Sequence, residues 1–130
     1  MWDKHTLEKI DRADDLKIAP RREDGKSIGT PTWIWEVVVD GRLFVRAYNG
    51  TRSRWYRAAI AQKVGEIQAI GKVFEVRFVP VDDDALNTRI DAAYREKYAS
   101  SPYMAHMVGA SAKAATVEVL PLSSLTGLIV

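Results

Sequence analysis

The stretch TPTWIWEVVVDGRLFVRAY, residues 30–48, constrains the fold more than any other part of the chain. Two runs of β-branched and aromatic residues meet at Asp40-Gly41, a dipeptide that supplies the positive φ angles of a tight hairpin. Side chains alternate between faces along a strand, so Trp33, Trp35, Val37 and Val39 share one face of the first run. On the second run Leu43, Val45 and Ala47 share one face, and Phe44, Arg46 and Tyr48 share the other. Both faces therefore carry apolar side chains. Such a hairpin has to be covered twice, as in a closed barrel that also packs against helices or a second subunit.

The flanking sequence supplies the rest of such a structure. Leu7, Ile10 and Ala13 recur at helical spacing, which predicts a short N-terminal helix within residues 1–15. LKIAPR reads as a strand and EDGKSIGTP as turn chemistry. Ser53 is placed to cap a helix reaching Gln62, with Trp55, Ala58 and Ala59 on one side. VGEIQAIGKVFEVRFVPV reads as a second hairpin turning near Gly71. Asp82, Asp83 and Asp84 precede a helix on which Leu86, Ile90, Ala93, Tyr94 and Lys97 follow the helical period. Capping and dipole stabilisation account for these carboxylates better than paired acid–base catalysis does. SSPYMAHMVGASAKAA reads as loop and short turn, and TVEVLPL as a closing strand, with residues 122–130 as a tail. Hairpins without regular strand–helix alternation point to an α+β fold, mainly β: one domain over 1–130, a small antiparallel barrel of about six strands with helices at its ends.

Composition narrows the chemistry. The 130 residues carry a formal net charge of +2, so no general basic field calls for nucleic acid or an anionic membrane. There is no cysteine, which removes disulfides and thiolate metal sites and fits a reducing cytoplasm. No apolar run approaches the roughly 18 residues of a membrane span. Neither HExxH, GxGxxG nor GxxxxGK[ST] occurs, and the two histidines have no metal-ligand spacing. His5 lies in the charged first helix and reads as a surface residue. His106, among apolar neighbours in YMAHMVG, suits either a core or a pocket position.

One window stands apart. From Gly41 to Gly65 there are six basic residues, Arg42, Arg46, Arg52, Arg54, Arg57 and Lys63, and no acid. Phe44, Tyr48, Trp55 and Tyr56 are interleaved with them. A planar guanidinium matches phosphate oxygens in pairs, and a helix start offers unpaired N–H groups. Asn49-Gly50 lets the backbone approach a ligand closely. Arginine beside aromatic surface suits a phosphorylated planar cofactor. It also suits single-stranded nucleic acid, although a chain of such low net charge favours a discrete pocket. Arg42 and Arg52 read as solvated exterior charge.

APRREDGKSIGTPTWIWEVVVDGRLFVRAYNGTRSRWYRAAIAQKVGEI contains Gly-x-x-x-Gly-x-Pro, a strand, Asp-Gly, a strand, a Gly turn and Trp-Tyr on a helix. This resembles the flavin-binding split-barrel superfamily, especially deazaflavin-dependent nitroreductases and pyridoxamine-phosphate-oxidase-like proteins. With FVPVDDDALNTRIDAAYREKY, YMAHMVG and ATVEVLP, residues 16–121 resemble a small uncharacterised bacterial branch, a family of unknown function. The resemblance implies a six-stranded antiparallel split β-barrel acting as a homodimer, with ligand sites at the subunit interface. It implies FMN or a deazaflavin as cofactor and hydride transfer to a small organic acceptor. By position it places Thr30 and Thr32 beside the ring, and Arg46 and Tyr48 at the strand end. Asn49, Arg54 and Arg57 then lie near the phosphate, and Trp55 and Tyr56 either wall the pocket or pack the helix. Trp33 and Trp35 either stack on the ring or fill its place. In the latter case the chain is a cofactor-free dimeric module for an anionic metabolite. Tyr48, Tyr56 and His106 are the candidate proton donors.

Overall fold

The computed structural model describes residues 2–122; Met1 and residues 123–130, most of the expected tail, lie outside the described residues. In chain order the elements are α1 (Lys4–Ala13), β1 (Lys17–Pro20), β2 (Thr32–Trp33), β3 (Glu36–Val39) and β4 (Arg42–Arg46). A 3-10 turn (Gly50–Arg52), α2 (Arg54–Gln62), β5 (Val64–Ala69), β6 (Lys72–Pro80) and α3 (Asp84–Lys97) follow. Two short helices, α4 (Met104–Met107) and α5 (Ala110–Ala114), precede the last described strand, β7 (Thr116–Pro121).

Seven strands form one sheet in the order β2-β1-β5-β6-β7-β4-β3, antiparallel throughout. The expected count of six is therefore one too low, and the reason lies in residues 32–39. This run is two strands, not one. Thr32 and Trp33 pair with β1 at one sheet edge, whereas Glu36–Val39 pair with β4 at the opposite edge. Between them the Ile34 N–H donates to the Leu16 carbonyl, and the Trp35 carbonyl accepts from the Tyr94 hydroxyl. Three residue steps reach no more than about 11 Å. The two edges are thus drawn together, and the sheet curls into a half-barrel with an open seam crossed by Ile34-Trp35.

The hairpin itself is as the sequence requires. Asp40 and Gly41 both have positive φ, 53° and 72°, and Glu36–Val39 pair in register with Val45–Arg42. Leu43 and Val45 point into the half-barrel with Leu16, Ile18, Ile67, Val76, Phe78, Val117 and Val119, closed off by Leu7 and Ile10 of α1 and Ala59 of α2. Val37, Val39 and Phe44 point the other way, against Ile90, Tyr94 and Tyr98, with Met107 and Ala112 beside them. Both faces of the hairpin are covered. Asp83 caps α3 by accepting from the Leu86 N–H at 3.0 Å, so the acidic run is a helix start. The region read as loop around Tyr103 to Ala114 instead holds α4 and α5, single turns shaped by packing on α3 and the 3-10 turn.

Candidate functional site

A cavity of about 470 Å³ opens at the seam. Four groups of residues wall it: Thr32, Trp33, Ile34 and Trp35 from the seam crossing; Arg46, Tyr48 and Asn49 from the end of β4; Ser53, Arg54 and Trp55 from the start of α2; and Tyr103 and Met107 from the α4 turn. The topology explains the convergence. β4 and the crossing meet at the seam, and the 3-10 turn brings α2 back over it.

Its aromatic rim is fixed by ring contacts. Tyr48 lies 4.1 Å from the His106 ring and meets Tyr103 edge-on at 6.2 Å. His106 Nε2 sits 2.5 Å from the Tyr48 carbonyl oxygen, so this histidine braces the rim. Trp35 stacks on Tyr98 at 4.2 Å and 6°. Trp33 is 65% exposed and Tyr103 59%, unusual for side chains of that size.

The polar groups divide into committed and uncommitted. Arg46 is fully buried and all five of its N–H groups have acceptors. Nε donates to Thr116 Oγ1, and Nη1 to Asp91 Oδ1 at 2.5 Å and to the Met107 carbonyl. Nη2 serves the carbonyl and side-chain oxygens of Asn87. Arg46 therefore has no donor for a phosphate; it belongs to the wall. Asp91 also takes Lys113 Nζ at 2.8 Å, so one buried network ties β4 to α3, α4 and α5. Arg54, by contrast, is exposed and reaches the cavity, and its guanidinium has no hydrogen bond or ion pair among the described residues. Asn49 is equally uncommitted, and Ser53 makes no side-chain cap to α2.

The eight residues named from sequence are thus only partly brought together. Tyr48, Asn49 and Arg54 reach the cavity with polar groups available, Thr32 reaches it with its hydroxyl donating to the Thr30 carbonyl at 3.3 Å, and Arg46 reaches it spent. Thr30 is exposed on the loop before β2, Arg57 is exposed further along α2, and neither lines the cavity. Tyr56 packs with Trp55 against the interior cluster, and burial raises its phenol above the ordinary value. Ile34, Tyr103 and Met107 went unrecognised in the sequence. An aromatic in a Ser-Pro stretch, Tyr103, was the one available signal.

Behind Trp35 lies a second charged group that sequence reading missed. Glu36 is fully buried, and its Oε2 accepts from Lys97 Nζ at 2.7 Å. Lys97 also donates to Asp11 Oδ1 at 3.1 Å and to the Glu36 carbonyl at 3.0 Å, with Asp14 at 3.7 Å. Burial, opposed by Lys97 and reinforced by Asp14 and Asp11, pushes the Glu36 carboxyl up to about 8. A lone acid inside a run of apolar strand residues was its signal. Burial also raises the Tyr94 and Tyr98 phenols, which keeps both hydroxyls protonated as donors.

A larger groove, about 740 Å³, lies beneath α1 between Trp2, Leu7, Val38 and Leu120. Its arginine is already held by Glu118 through two hydrogen bonds of 3.0 and 2.8 Å. The seam cavity is the one that sets an uncommitted guanidinium and amide, Arg54 and Asn49, beside aromatic surface. Among the described residues no cluster of His, Asp and Glu suits a metal, and no helix is long and apolar enough to cross a membrane.

The architecture is an α+β protein with a curled antiparallel half-barrel and a cavity at its seam. The chain belongs to the family described as "Uncharacterized protein conserved in bacteria (DUF2255)", which it matches over residues 6–119. It is similar to the crystal structure of "conserved hypothetical protein Rv2991 from Mycobacterium tuberculosis", with a TM-score of 0.63 at 16% identity. That likeness covers 92% of this chain and 78% of the other, and it concerns the fold alone. No curated protein matches the chain.

Proposed function

We propose that the seam cavity binds a flavin or deazaflavin, as in the split-barrel enzymes the sequence resembles, and that the protein is an oxidoreductase acting on a small organic acceptor. The observation that carries this reading is the meeting of an uncommitted Arg54 and Asn49 with Trp33, Trp35, Trp55, Tyr48 and Tyr103 in one cavity. Its volume, about 470 Å³, lies within the ordinary range of cofactor sites. The indole and phenol rings offer flat apolar surface to a tricyclic ring, and Arg54 offers a charge-assisted bond to the anionic end. The bound group would supply the hydride chemistry; the chain anchors and orients it and excludes water. Tyr48 and His106 stand at the rim as candidate proton donors. A homodimer belongs to the same reading, with Trp33 and Tyr103 covered by the second subunit.

A thermal-shift series tests the reading. FMN should raise the melting temperature more than riboflavin, which lacks the phosphate. Equal shifts would remove Arg54 as an anion anchor, and no shift with FMN or a deazaflavin would discard the cofactor. The stacking of Trp35 on Tyr98 supports a second reading, in which the tryptophans fill the ring position and the cavity takes a smaller anionic metabolite. Single-stranded nucleic acid loses support, because the acid-free window is not acid-free in space: Arg42 is paired with Glu118 and Arg46 with Asp91.

A further inference from the structure

Glu36 and its neighbours have a structural consequence for the cavity. The backbone carbonyls of Trp35 and Glu36 are held from one side by Tyr94 and Lys97 of α3 and by Tyr98 at its C-cap. Tyr94 donates to the Trp35 carbonyl at 2.8 Å, and both Lys97 Nζ and the Tyr98 hydroxyl reach the Glu36 carbonyl at 3.0 Å. The Tyr98 ring that carries this hydroxyl is also the surface on which Trp35 stacks. Trp35 in turn lines the cavity. A chain of direct contacts therefore runs from the Glu36 carboxyl through Lys97 and Tyr98 to the cavity wall.

The charge balance of the cluster is uneven. Asp11 on α1, Asp14 at its cap and Glu36 on β3 present three carboxylates to one ammonium, that of Lys97. Tyr94 and Tyr98 are the other titratable groups facing it, and both stay neutral. Of the three carboxylates Glu36 alone is fully buried, and its Oε1 has no hydrogen-bond partner. It is the group that holds a proton when the cluster is neutralised. Asp11 at 3.1 Å and Asp14 at 3.7 Å are the further partners of the Lys97 ammonium. With Glu36 neutral, Lys97 is drawn toward these two aspartates. With Glu36 ionised, it is drawn inward to the carboxylate. The Tyr98 hydroxyl has a matching choice, since it lies 2.6 Å from Asp14 Oδ1 as well as 3.0 Å from the Glu36 carbonyl.

We propose that Glu36 is a proton-operated positioning residue: its protonation state, relayed by Lys97 and Tyr98, sets how Trp35 sits in the cavity wall. The inference rests on the geometry of the cavity and not on which ligand fills it.

Tryptophan emission of the ligand-free protein tests it. The part contributed by Trp35, obtained as the difference from Trp35→Phe, should follow a single titration centred near pH 8. Glu36→Gln, a neutral isostere, should abolish that titration, and the exposed control Glu75→Gln should leave it intact. A Trp35 signal flat between about pH 6 and 9.5, or one that persists in Glu36→Gln, would overturn the proposal. If Glu36→Gln fails to fold, carboxyl carbon NMR of the glutamate-labelled wild type decides. One glutamate titrating well above the rest is expected, and none above about pH 6.5 would refute it. Because no ligand is used, failure of FMN to bind would leave this inference standing.

Discussion

Arg46 and Glu36 are both charged, both wholly inside the protein, and meet the cost of burial in opposite ways. Arg46 keeps its charge and gives every N–H an acceptor. Glu36 has one oxygen without a partner and takes up a proton. Replacing Arg46 by methionine strands Asn87 and half of Asp91. It should cost about 3–5 kcal/mol by urea denaturation, the usual result of breaking a buried ion pair. A loss below about 1 kcal/mol would show that the network is not what docks α3 to α5. Gly50 is constrained twice: its φ is +74°, and an added Cβ would lie 2.4 Å from Ser111 Oγ. Gly50→Ala should destabilise by about 1–3 kcal/mol, through backbone strain and overpacking against α5. Differential scanning calorimetry would check this, and an unchanged melting temperature would contradict it.

At the level of elements, α1 and α3 are clamped together across β3 by Lys97, and that contact carries a pH dependence. The Glu36 carboxyl is raised in the folded state, so between its ordinary value of 4.5 and about 8 the folded chain binds more proton than the unfolded one. The contribution is complete below about pH 4.5 and is lost as the pH rises through about 8. Stability should therefore fall across that window, by at most about 1.4 kcal/mol per pH unit from this group. Glu36→Gln should flatten the fall; parallel profiles for the two proteins would contradict the assignment. Elements with strong periodicity were legible in the sequence: the Asp40-Gly41 hairpin, the Gly71 hairpin, α1, α2 with its Ser53 start, and α3 with its Asp83 cap. The break at Ile34-Trp35 was not. Alternation cannot show that a strand changes partners halfway, and only the sheet order places Thr32 and Glu36 at opposite edges. α4 and α5 are four and five residues long, too short for a helical period to register among Ser, Pro and Gly.

For the whole molecule, the curl of the sheet makes the site. Residues 33 and 36 belong to opposite edges, so the seam has to pass close to the end of β4 and the start of α2, and the cavity lies where they meet. Thr32, Tyr48, Asn49 and Arg54, named from sequence, line this cavity: Arg54 stood out locally as a guanidinium beside a helix start, whereas Thr32 and Tyr48 were placed only by the family resemblance. Sequence reading could not tell Arg46 from Arg54. Both lie in the same basic window, and only the distant Asn87, Asp91 and Thr116 decide that Arg46 is spent.

The most direct test of the account is a titration of the purified protein with FMN and with a deazaflavin, followed by quenching of tryptophan and flavin fluorescence, in wild type and Arg54→Ala. The account predicts saturable binding to one of the two. The variant should bind more weakly by about 1.5–3 kcal/mol, roughly ten- to 150-fold, the worth of one charge-assisted bond. No saturable binding to either ligand by folded protein would contradict it, and equal affinity in Arg54→Ala would place the anion elsewhere.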